Sequence, residues 1–80
     1  MISGLQIRMA RAALGWTVAE LSEKSGVSAS SIARAEAIDG IATMRASSLF
    51  ELQQALEANG VVFLAAGQDL TGGDGVRMRE

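Results

Sequence analysis

Apolar residues in the first fourteen positions recur with a helical period. Leu5, Ile7, Ala10 and Leu14 share one face, with Met9 and Ala13 beside it. Ser3 precedes them as an N-cap, and Gln6 stands three residues on, the spacing of a capping box. Ile2 and Ile7 are placed to staple that entry. The pattern predicts a first helix over about Gly4–Leu14, ended by Gly15, with Arg8 and Arg11 outward. Trp16 reads as a core anchor under the turn that follows.

The stretch from Thr17 to Glu36, TVAELSEKSGVSASSIARAE, carries the most information. Thr17 and Glu20 form a second capping box, which starts a helix over about Val18–Ser25. Leu21 falls on its inward side. Gly26 stands where the chain must turn, at a positive φ that other residues adopt only at a cost. Val27 points back into the core, and Ser28 caps a third helix over about Ala29–Ala37. Ile32 and Ala35 face inward, which leaves Ala29, Ser30, Ser31, Ala33 and Arg34 outward. Two helices joined this tightly cross at a steep angle, with the second held away from the body. That is the geometry of a helix-turn-helix, whose second helix enters the DNA major groove.

Residues 38–45 read as a loop with an Asp39-Gly40 turn. A fourth helix follows over about Ala46–Ala58, its apolar face carried by Leu49, Leu52, Leu56 and Phe50, and Asn59-Gly60 closes it. The period then changes from helical to alternating. Val61–Ala65 and Gly75–Arg79 read as two strands around a Gly- and Asp-rich turn region. Residues 1–60 are thus expected to form the helix-turn-helix domain and residues 61–80 a β-hairpin. A lone hairpin is marginal in water, and its open edges need cover. Pairing with a second chain through Val61, Val62, Phe63, Leu64, Val76 and Met78 would supply it, in a symmetric dimer suited to two DNA half-sites.

Composition narrows the chemistry. The 80 residues suit one domain with a modest core, and 49% of them are apolar. There is no Cys and no His. Disulfides, Cys/His zinc sites and His-based acid–base catalysis are therefore excluded. Ser is plentiful, but no His activates it, and Lys24 is the single lysine. Gly72-Gly73-Asp74-Gly75 lacks the Lys-Ser/Thr of a phosphate loop. No catalytic residues, no metal site and no cofactor are expected. No apolar run reaches membrane-spanning length, and an intracellular, cytoplasmic protein is the default reading.

The net charge of −2 weighs against phosphate contacts, yet its distribution is uneven. Arg8, Arg11, Lys24, Arg34 and Arg45 outnumber Glu20, Glu23, Glu36 and Asp39 up to position 45. Arg77 and Arg79 are outnumbered by Glu51, Glu57, Asp69, Asp74 and Glu80 beyond it. The half that would face DNA is the slightly basic one. Glu36 is expected in an intramolecular ion pair or hydrogen bond.

These residues resemble the helix-turn-helix of Cro and phage-repressor proteins, the XRE-type transcriptional regulators. The resemblance rests on Arg8-x-x-Arg11 with Leu14-Gly15-Trp16-Thr17. It continues in Leu21-Ser22 through Gly26-Val27-Ser28 to Ile32-Ala33-Arg34 and Glu36. Ser48-Leu49-x-x-Leu52-x-x-Ala55-Leu56 with Asn59-Gly60-Val61 completes it. It implies a mainly α, lambda-repressor-like bundle of four to five helices that binds double-stranded operator DNA as a homodimer. By position, Thr17, Val18 at the start of the second helix, and Ser28 would meet phosphates. Ala29, Ser30 and Ser31 would meet base edges, Arg34 a base or a phosphate, and Arg45 the backbone before the fourth helix. Arg is the best single reader of guanine, so Arg34 is the main candidate for sequence reading, worth about 1–3 kcal/mol of discrimination if bidentate. Val18 stands where the family commonly has Gln, and Ala29-Ser30-Ser31 where longer polar residues are usual. Those departures, with the net acidity, raise an alternative: an antitoxin-like or anti-repressor module that binds a protein partner and has weak DNA affinity.

Overall fold

A computed structural model describes residues 2–42, 44–64 and 75–79. The helices form where their caps and apolar periods place them: α1 Gly4–Leu14, α2 Val18–Ser25, α3 Ala29–Glu36 and α4 Ala46–Ala58. The first two begin with complete capping boxes. Ser3 Oγ accepts from Gln6 N while Gln6 Oε1 accepts from Ser3 N, and Thr17 and Glu20 repeat the exchange. α3 starts on the Ser28 hydroxyl, which accepts from Ser31 N, and ends one residue earlier than expected, with Ala37 as its C-cap. Gly26 takes the left-handed conformation, φ 78°, that the turn between α2 and α3 requires.

Ile7, Leu21, Ile32, Leu52, Leu56 and Val61 are the largest fully buried side chains, so α1 to α4 and the first strand all feed one core. Each such burial contributes roughly 1.5–3 kcal/mol. Leu14 and Trp16 pack against this core from its edge. Phe50 does not join it. The side chain stands 63% exposed, because Leu49 and Leu52 already occupy the inward arc of α4 and position 50 turns out of it.

α1 and α3 meet without a spacer. A Cβ on Gly4 would lie 2.0 Å from the Ile38 carbonyl oxygen and 2.1 Å from that of Ala35. Only glycine lets the start of α1 seat against the end of α3. Gly4 N donates to Gly40 O at 2.9 Å, and Ser3 and Ile41 form an isolated antiparallel bridge, so the 38–41 turn is pinned to the N-terminus.

Strands β1, Val61–Leu64, and β2, Gly75–Met78, pair antiparallel within the chain, Val61 opposite Met78 and Phe63 opposite Val76. The hairpin does not rely on a second chain for its pairing. β2 lies beside α1 and β1 beside α4. Cross-strand partners share a face. Val61, at 1% exposure, is inside the core, and Phe63 and Val76 pack against it. Val62, Leu64 and Arg77 lie on the opposite face. The Gly- and Asp-rich turn expected between the strands, with Ala65, lies outside the described residues.

Candidate nucleic-acid interface

The position of α3 is set from its far end. Glu36, its last residue, is buried, and its carboxylate takes a two-point bond from Arg11 on α1: Nε to Oε2 and Nη2 to Oε1, each 2.9 Å. The third arm of the guanidinium, Nη1, donates to the Trp16 carbonyl at 3.0 Å, just before α2. One side chain thus fixes α1, the entry to α2 and the exit of α3 together. The hydrogen bond to Glu36 raises the Arg11 pKa above its ordinary value, with the charge of Glu36 acting the same way and partial burial opposing. A raised arginine pKa loses its contribution only as pH climbs through the arginine range, so Arg11 stays charged at working pH. The expected ion pair of Glu36 is present, and Arg11 is half-buried rather than on an outer face. Arg8 is also spent within the chain, on Asp39.

The outer face of α3 has the opposite character. Ala29, Ser30, Ala33 and Arg34 are exposed along one arc. Among the described residues the side chains of Arg34 and Arg45 make no hydrogen bond or ion pair. Ser28 is engaged: its oxygen caps Ser31 N at 3.3 Å, and its hydroxyl donates to Ser31 Oγ at 2.8 Å. Thr17 is engaged in its own capping box, and Val18 is half-buried against the core. Of the residues expected at DNA, the structure brings Ser31, Arg34 and Arg45 together. They line a cleft of about 250 Å³ between α3 and the start of α4.

Met44 and Ser48 complete that cleft, and neither was among the expected site residues. The signal for Ser48 was its place in the first turn of α4, where a hydroxyl is available beside unsatisfied backbone N–H groups. Arg45 is the N-cap of α4, and no side chain caps this end. Its first-turn N–H groups and the local helix dipole therefore favour an anion nearby.

Gln6 is the other residue whose role the sequence concealed. It is 3% exposed, and Nε2 donates to the carbonyls of Leu64 (2.9 Å) and Gly75 (3.0 Å), one on each strand. The same amide that caps α1 ties down the hairpin. At the other end Arg79 N donates to Gly60 O and Arg79 Nη2 to Glu57 O, both at 2.6 Å.

Among the described residues no three acidic side chains gather as a metal site, and no helix is long and apolar enough to cross a membrane. No curated protein and no solved structure matches the chain. Residues 7–44 match the family model described as helix-turn-helix, a span from the second turn of α1 to the far wall of the cleft at Met44. The tight α2–α3 turn and this match agree: residues 7–44 form a helix-turn-helix, a DNA-binding type of domain, which supports the XRE/Cro-like resemblance.

Proposed function

We propose that the protein is a transcriptional regulator that occupies a palindromic operator as a homodimer, with α3 and its caps, residues 28–37, in the major groove. The observation that carries this reading is the contrast between the two sides of α3. Its inner side is locked by Ile32, Ala35 and Glu36, while Ala29, Ser30, Ala33 and Arg34 face outward, Ser30 in a long 3.4 Å contact with the Ser28 hydroxyl and the Arg34 side chain with no partner among the described residues. A rigidly held helix with an open outer face is what groove insertion requires.

Dimerisation through the hairpin would use the side turned away from the core. Val62 and Leu64 lie on that side, with Met78, 39% exposed, at the rim. Val61, Phe63 and Val76 serve the chain's own core first. Two-fold pairing would set two copies of α3 against half-sites about 34–36 Å apart.

A second reading, a module that binds a protein partner, is favoured by one observation. Arg8 and Arg11 are consumed by Asp39 and Glu36, so few cations remain to meet phosphates. Both readings are separated by pulling down genomic DNA fragments with the purified protein at moderate and high salt. Operator binding predicts recovery of a palindromic sequence that is lost as salt rises, the sign of counterion release. Recovery of nothing above background refutes it in favour of the protein partner.

A further inference from the structure

We infer that Arg34 seats a DNA phosphate together with Arg45, and that base reading is left to the small residues Ala29, Ser30 and Ala33. This rests on the operator-binding reading above and names what each residue of that surface does.

An α-helix with its side chains is about 10–12 Å across, and the major groove is about 12 Å wide. α3 alone fills the groove. Whatever lies between α3 and the start of α4 therefore sits at the rim, where the phosphates are. Arg34 borders that gap, with Arg45 and Ser48 on its other side.

The chemistry of the cleft points the same way. Its polar lining is Arg34, Arg45, Ser31 and Ser48, with no carboxylate. Two guanidiniums facing one space repel unless an anion lies between them. Their N–H forks fit phosphate oxygens in pairs. Ser31 already accepts the proton of Ser28, so its own proton is directed elsewhere and adds a donor. A set made of donors suits a phosphate. A base edge in the major groove presents donors as well as acceptors.

With Arg34 so engaged, the outward residues left on α3 are two methyl groups and a hydroxyl. None makes a bidentate bond. Ala methyls suit the C5-methyl of thymine, and Ser serves either kind of partner singly. The preferred site is accordingly rich in A·T pairs whose thymine methyls face α3.

The test is binding-site selection and salt titration on the full chain, wild type against Arg34→Ala, with Arg45→Ala as a second variant and circular dichroism to confirm that each is folded. Loss of one phosphate contact flattens the slope of log K against log salt by about 0.9 per protomer. Both variants are expected to show that flattening and to select the wild-type consensus, and Arg34→Lys to restore the slope. Replacing the selected thymines by deoxyuridine is expected to weaken wild-type binding about fourfold per contacted methyl. Relaxed preference at one base pair in Arg34→Ala overturns the assignment and returns Arg34 to base reading, and an unchanged slope with an unchanged consensus overturns it too. Wild-type protein that selects no DNA at all overturns the operator reading beneath it, a result visible before any variant is compared.

Discussion

In the helix-turn-helix, boundaries are marked in the chain itself: Thr17 and Glu20 start α2, Gly26 turns the chain, and Ser28 starts α3. In the hairpin, by contrast, the ends are held from outside, by Gln6 of α1 across both strands and by Arg79 against the last turn of α4. The first region is specified locally and then locked by one long-range pair, Arg11 with Glu36. The second has plain alternating strands whose placement is borrowed from the helical body. Local signals fix where the recognition helix starts and turns, and the hairpin takes its anchors from the helical body. A reading helix needs precise placement, whereas a dimerising strand pair needs an exposed side.

The contrast breaks most severely at Gly4, where both regions share a foundation. Gly4→Ala forces a methyl into the backbone of residues 35 and 38 and is expected to cost at least about 3 kcal/mol. In a domain of this size that lowers Tm by roughly 12 °C or more in a thermal melt. A Tm within a few degrees of wild type would show that the α1–α3 seam can open cheaply.

Next comes the lock. Glu36→Ala leaves the Arg11 guanidinium half-buried without its carboxylate, an expected loss of about 2–3 kcal/mol by urea denaturation. The double variant Arg11→Met with Glu36→Leu is expected to recover most of it, since replacing both charges removes the stranded one. No recovery would mean that Arg11 acts mainly through the Trp16 carbonyl.

Gln6→Leu sharpens the distinction between the regions. It removes both bonds to the hairpin and half of a capping box, for about 1–2 kcal/mol. Hydrogen exchange is expected to quicken in β1 and β2 while α2 and α3 keep their protection. Uniform quickening would show that the hairpin and the helices open as one unit.

The smallest effect is expected at Phe50. Phe50→Ser lies outside the core and should change stability by no more than about 0.5 kcal/mol in the same melt. A larger loss would reveal that this ring is covered in the assembled protein.

The helix starts, the tight turn and the inward residues of α2 and α3 were legible along the chain. Caps, glycine turns and the helical period all act within a few residues, so each could be read from neighbours alone. The motif position of Glu36 likewise pointed to an intramolecular ion pair or hydrogen bond. Packing between elements is what made Arg11 the partner, tied Gln6 to the hairpin, and set Arg34 and Arg45 on one cleft. These depend on how elements far apart in the chain are brought together. Gln6 and Gly75 are 69 positions apart, and no period or spacing encodes their meeting. Phe50 is a different case: the helical period itself turns position 50 off the arc shared by Leu49, Leu52 and Leu56, and only its apolar character pointed inward.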